Sequence, residues 1–182
     1  MDKLYWEDSS VFKINKEDGH AIAMPYDDLE SALSGEESRY KQSLNGMWKF
    51  YWQRGIKNQP EGFESVRFDD SKWDEIHVPS VWQTEGYSVP YYYASTFPRA
   101  ISRSKRRIPH INKRMQEIGI YRRKFSVDRS WAGREIFIHF GAAKAAIEVY
   151  INGAFVGYGQ GSMTPHEFNV TKFLKYDEEN TV

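Results

Sequence analysis

Ala146-Ile-Glu-Val-Tyr-Ile-Asn-Gly-Ala-Phe-Val-Gly-Tyr-Gly-Gln160 reads as two short strands about a turn. Ile147, Val149 and Ile151 fall on one face and Glu148 and Tyr150 on the other, the period of a half-buried strand. Asn152-Gly153 tolerates positive φ at both positions and is the best hairpin signal in the chain; Phe155 to Tyr158 returns from it. The glycines of Gly157-Tyr-Gly-Gln-Gly161 lack the Lys-Ser/Thr of a phosphate loop and lead into no helix. They are expected to mark a strand end with bulges or with close backbone approach.

The same pattern extends outward. Glu135 to Phe140 alternates with Ile136, Ile138 and Phe140 on one side, and Phe168 to Val170 is a short strand downstream. Upstream, Tyr121 to Val127 and Ile76 to Val78, closed by Pro79, read as strands. After the Asn45-Gly46 turn, Met47 to Trp52 places Trp48, Phe50 and Trp52 on one face. Short strands with no helices between them predict an all-β sandwich and exclude a parallel α/β sheet. Long loops at 53–75 and 82–120 favour a jelly roll over a tight barrel. Residues 1–43 read as an irregular amino-terminal arm, with room for a short helix between Tyr26 and Tyr40. Residues 44–182 form the domain; Thr181-Val182 reads as the start of a strand, so the domain is expected to be cut at its carboxyl end.

Of 182 residues 16% are aromatic, enough to build a core and to rule out a disordered chain. Basic and acidic residues balance at 25 each, so no global charge draws the chain to nucleic acid or membrane. Without cysteine there is neither a disulfide framework nor a thiolate metal site. Met1 to Ser10 carries no apolar signal segment, and a cytoplasmic setting is expected.

Candidate chemistry is sparse. Asp69, Asp70, Asp74, Glu75 and Glu85 are available carboxylates, and glycoside hydrolysis needs two. Phe68-Asp-Asp-Ser-Lys-Trp-Asp74, however, reads as a turn before a strand, where Asp serves the backbone. No catalytic residue is assigned. His20, His77, His110, His139 and His166 show no metal-binding spacing, and no metal site is assigned; His139 reads as a surface strand residue. Residues 99–124 hold ten of the 25 basic residues and only Glu117 as an acid. Within this run Lys105, Arg106, Arg107, Lys113 and Arg114 are expected to dock on an acidic neighbour or to be solvated. A polyanion ligand ranks below those two readings.

Taken in order, several segments resemble the sugar-binding domain of family 2 glycoside hydrolases, in the manner of the large bacterial lactases. They are Ser43-Leu-Asn-Gly-Met-Trp-Lys-Phe50, Phe68 to Ser80, Val81-Trp-Gln-Thr-Glu-Gly-Tyr87 and Pro90 to Pro98. Gly119-Ile-Tyr-Arg-Arg-Lys-Phe125, Phe140-Gly-Ala, Val149 to Gly153, Val156 to Gln160 and Pro165-His-Glu-Phe168 follow, and Trp6-Glu7 is similar to the arm of those lactases. The resemblance implies a jelly roll of the galactose-binding-domain type at the head of a multidomain, oligomeric β-galactosidase. In that family two Glu of a later barrel perform retaining hydrolysis, with Mg²⁺ and Na⁺ assisting. It implies no cofactor in this chain, and as partners the remaining domains of a parent enzyme and a β-galactoside sugar, not nucleic acid or membrane. The edge of the sugar pocket would fall at Tyr92, Tyr93, Ala94 and Ser95, with Ala94 where the family carries an Asn. A second family contact, an Asp, would come after Val182. Ala145 and Gly161 stand where Ser and Asp are common in the family. A free-standing carbohydrate-binding module is the alternative, motivated by Tyr87, Tyr91, Tyr92 and Tyr93.

Overall fold

The structure is a computed structural model and describes residues 4–90, 110–111, 113–114 and 116–182. It is an all-β sandwich of short antiparallel strands. In chain order these are β1 (Lys13–Ile14), β2 (Gly46–Arg54), β3 (Asp74–Val78), β4 (Glu117–Arg122) and β5 (Lys124–Ser126). They continue as β6 (Phe137–Phe140), β7 (Ala146–Ile151), β8 (Ala154–Gln160), β9 (His166–Asn169) and β10 (Glu179–Thr181). The ladders run β1-β8-β7, β3-β2-β4, β6-β9 and β10-β5.

The hairpin forms as the sequence predicts. Asn152 and Gly153 hold φ of 53° and 86°, and Ile151 pairs with Ala154. Val149 and Ile151 are buried with Val156, Phe168, Ile138 and Val170 in the larger core cluster. Glycine is required in β8 because other segments lie against it. A Cβ at Gly157 would sit 2.5 Å from the Ile14 carbonyl and 2.6 Å from the Phe168 ring; one at Gly159 would sit 2.4 Å from His166 Nδ1. The smaller cluster is Trp48, Phe50 and Ile76 on the β3-β2-β4 sheet. Leu44 and Val182 pack against both clusters and join them.

One reading of the sequence changes in the structure. Tyr121 to Val127 is two strands: β4 pairs with β2, and β5 pairs with β10. The switch falls at Arg123, whose N–H and carbonyl both bond Val182. The arm also takes part in the sheet. Lys13 pairs with Gly159 and Ile14 with Tyr158, Asn15 Nδ2 donates to the Val156 carbonyl at 2.8 Å, and Lys16 bridges Phe168. The expected short helix is α1 (Leu29–Leu33), its amino end capped by Asp28, which accepts from the Ser31 N–H at 2.7 Å.

His166 is fully buried beneath β8. Its Nε2 donates to the Gly161 carbonyl at 3.1 Å, and its Nδ1 has no hydrogen-bond partner. Burial holds its pKa below the usual value, the Gly161 bond opposes this, and Lys16 adds to it. The unfolded chain therefore binds this proton more readily, so the stability His166 gives is present above about pH 6.5 and is lost as pH falls through the folded pKa. Thermal melts from pH 7.5 to 5 should show a falling melting temperature, with a shallower slope in His166→Gln; parallel slopes would contradict this.

Candidate functional site

The segment expected to edge a sugar pocket, Tyr92, Tyr93, Ala94 and Ser95, lies outside the described residues, as do Lys105, Arg106 and Arg107. The structure does show the two stems between which that segment runs.

The first stem, residues 81–88, lies on an aromatic floor. Phe50 projects from β2, with Tyr121 of β4 at 4.7 Å between ring centroids. Tyr87 meets Phe50 edge-on at 4.8 Å, and Trp82 lies 6.2 Å away, tilted by 33°. The indole can settle there because β4 has Gly119 beneath it. A Cβ at that position would lie 2.4 Å from Trp82 Cζ3 and 2.8 Å from Phe50 Cε2. Burial raises the Tyr121 phenol to about 12. Burial and then the bond to Asp74 also raise Tyr87, whose hydroxyl donates to Asp74 Oδ2 at 2.9 Å. Both phenols therefore stay neutral donors at neutral pH. Ser88 donates to Glu117 Oε1 at 2.5 Å and ties this stem to the start of β4.

The second stem, of which residues 110, 111, 113 and 114 are described, meets the arm at Glu7. Lys113 Nζ stands 3.0 Å from Glu7 Oε2, His110 Nδ1 stands 3.8 Å from the same oxygen, and the Ile111 N–H donates to Glu7 Oε1 at 3.3 Å. The contact with Lys113 holds the Glu7 carboxyl below the usual carboxylate range. Glu7 sits in a 3-10 turn, Tyr5–Glu7, whose Tyr5 ring lies 5.2 Å from Tyr158 and 6.1 Å from Phe155.

Among the described residues, the cations of the basic run are dispersed. Arg122, at 5% exposure, is part of the interior. It donates from Nε to Asp70 Oδ2 at 2.9 Å, from Nη1 to the Phe63 carbonyl and from Nη2 to the Ser65 carbonyl at 3.1 Å. Arg123 donates to the carbonyls of Asn45 and Met47, and Lys124 pairs with Glu179 at 2.8 Å. Lys113 pairs with Glu7, and Arg114 lies at the surface.

Four of the five candidate carboxylates are engaged by the fold, and Glu85 is exposed. Asp69 accepts from the Ser71 N–H at 3.0 Å, as an Asx turn requires, and the Ser71 bonds hold it below its ordinary value. Asp70 binds Arg122, Asp74 accepts from Tyr87 and Glu75 pairs with Lys49 at 3.0 Å. His139 is exposed on β6, as predicted, and its Nδ1 lies 2.9 Å from Glu167, which also meets His20 at 3.3 Å. Among the described residues no group of three or more His, Asp or Glu is placed to hold a metal ion. No helix among them is long and apolar enough to cross a membrane.

The chain is thus an all-β sandwich domain with an aromatic floor under residues 81–88. Residues 41–182 match the family described as glycosyl hydrolases family 2, sugar binding domain, and the chain belongs to that family. It is 36% identical over 174 residues to a β-galactosidase of Priestia megaterium, covering 94% of this chain and 17% of the relative. A β-galactosidase of Clostridium acetobutylicum is 32% identical over 176 residues, covering 96% of this chain and 20% of the relative. Among solved structures, a β-glucuronidase of Bacteroides uniformis is 32% identical, with a TM-score of 0.53 over 77% of this chain and 14% of that one. A Lactobacillus rhamnosus β-glucuronidase shares the fold at 21% identity, with a TM-score of 0.52 over 77% of this chain and 20% of that one. The chain spans no more than a fifth of any of these relatives.

Proposed function

We propose that this chain is the amino-terminal domain of a β-galactosidase-type glycoside hydrolase and has no catalytic activity alone. In the parent enzyme a terminal non-reducing β-D-galactose would be released with retention, through a covalent glycosyl-enzyme on one Glu while a second acts as acid and then base. Both Glu, and any Mg²⁺ or Na⁺ that assists, would belong to later domains. This domain would shape the edge of the pocket with residues 92–95 and present docking surfaces, Lys113 and Arg114 among them, to the rest of a homo-oligomeric enzyme. The carrying observation is the match of residues 41–182 to the sugar-binding domain in a chain that covers about a sixth to a fifth of relatives named β-galactosidases.

Calorimetric titration of the purified chain separates this from a free-standing sugar-binding module. The resemblance implies an Asn at the position of Ala94, so one sugar hydrogen bond would be missing here, and a site lacking such a partner loses most of its discrimination. No saturable heat is expected up to millimolar galactose or lactose. A dissociation constant well below about 1 mM, or some 4 kcal/mol of binding, would support the module instead. Glucuronate belongs in the same series because the Bacteroides uniformis neighbour is named a β-glucuronidase. Selective binding of the uronate would move the substrate away from galactose.

A further inference from the structure

Glu7 is 104 residues from Ile111 and 106 from Lys113, yet its carboxylate uses both oxygens on this one short stretch. Its side chain is 13% exposed, so the charge is largely withdrawn from solvent and answered by Lys113 at 3.0 Å. Both sides of the contact are held independently. On the arm side, Tyr5 packs on Tyr158 and Phe155 of β8, and β1 continues the same sheet. On the loop side, the Lys113 carbonyl accepts from the Ile56 N–H at 3.0 Å, and that of Gln116 accepts from the Gly55 N–H at 2.5 Å. Glu7 therefore joins two anchored pieces, and His110 lies close enough to add a further favourable charge when protonated.

We propose that Glu7 is a positioning residue through which the seated amino-terminal arm fixes His110, Ile111 and Lys113, in the stem leading from the segment that edges the sugar pocket. The link to a pocket rests on the proposed function; the coupling between arm and stem does not. A carboxylate with one oxygen on a backbone N–H and the other on an ammonium fixes both the register and the direction of the stem. Glutamine keeps the oxygen for Ile111 and loses the charge for Lys113, whereas alanine loses both.

Residue-resolved amide hydrogen exchange on the 182-residue chain tests the coupling. Glu7→Ala should speed exchange at Ile111 by tenfold or more, while Phe50 and Ile120 of the sheet stay unchanged and report that the domain is folded. Glu7→Gln should restore much of the protection. Tyr5→Ala, which removes the ring packed on Phe155 and Tyr158 of β8, should also speed exchange at Ile111, and adding it to Glu7→Ala should change little further. In the unaltered chain this protection should hold from neutral pH down past the ordinary carboxylate range and then fall as Glu7 is protonated, a step absent in Glu7→Gln. Unchanged exchange at Ile111 in Glu7→Ala, or additive effects of the two alanines, would overturn the coupling and leave the proposed function standing. Turnover by the isolated chain would overturn the proposed function and leave the coupling standing.

Discussion

Asn180→Ala is expected to be the most damaging single substitution outside the hydrophobic core. Asn180 is fully buried, and its amide makes four hydrogen bonds. Nδ2 donates to the carbonyls of Lys175 at 2.8 Å and Glu178 at 3.2 Å; Oδ1 accepts from the Lys175 N–H at 2.8 Å and from Asn152 Nδ2 at 2.7 Å. Asn152 passes the network on, donating to the Phe173 carbonyl and accepting from the Thr181 N–H. Alanine would leave several of these groups buried without partners, at about 1–3 kcal/mol each before relaxation. The net loss should be about 3–4 kcal/mol, or roughly 10 °C in melting temperature for a domain of this size. Asn180→Asp should be no better, because it turns both donated bonds into a carboxylate facing carbonyls. Thermal or urea unfolding checks this; a loss below about 1 kcal/mol would mean that water replaces the amide.

Arg122→Met should cost nearly as much, about 3 kcal/mol, by breaking a mostly buried charge pair while keeping the volume filled. The guanidinium binds three points of the 62–70 loop at once, and its carbon lies 5.6 Å from the centroid of the Phe68 ring. Removing it leaves Asp70 and two carbonyls facing an apolar chain. Arg122→Lys should recover less than half, because an ammonium cannot reproduce the fork. Urea unfolding gives the global loss, and amide exchange across residues 62–70 shows whether the loop loosens first. Equal stability of Arg122→Met and the unaltered chain would show that solvent bridges these groups.

These two residues mark where the sequence stops being legible. Strands with a clean period of two, such as β2 and β7, can be read directly, because alternation reflects one buried face. The Asn152-Gly153 hairpin can be read because its φ values restrict the residue types. The family could be recognised from ordered motifs spread over the chain. What the sequence leaves hidden depends on distant partners. Arg122 looks like one of three adjacent cations, and only the fold brings Asp70, 52 residues away, to it. Asn180 lies in the polar text Asp177-Glu-Glu-Asn180, and nothing local marks it as buried. Strand β1 is two residues long, too short to show any period. Glu7 was visible as part of a lactase-like Trp-Glu pair, but its contact with Lys113 was not. The glycines Gly157 and Gly159 were the exception, since a Gly-rich strand end already suggests close approach.

We propose that this chain carries the sugar-binding fold of a family 2 hydrolase and not its chemistry. The direct measurement is turnover of a chromogenic β-galactoside by the purified 182-residue chain, with a β-glucuronide in parallel. No release above the uncatalysed rate is predicted for either substrate. Saturable, enzyme-proportional release of the chromophore would contradict it, and would place a working pair of carboxylates within these residues.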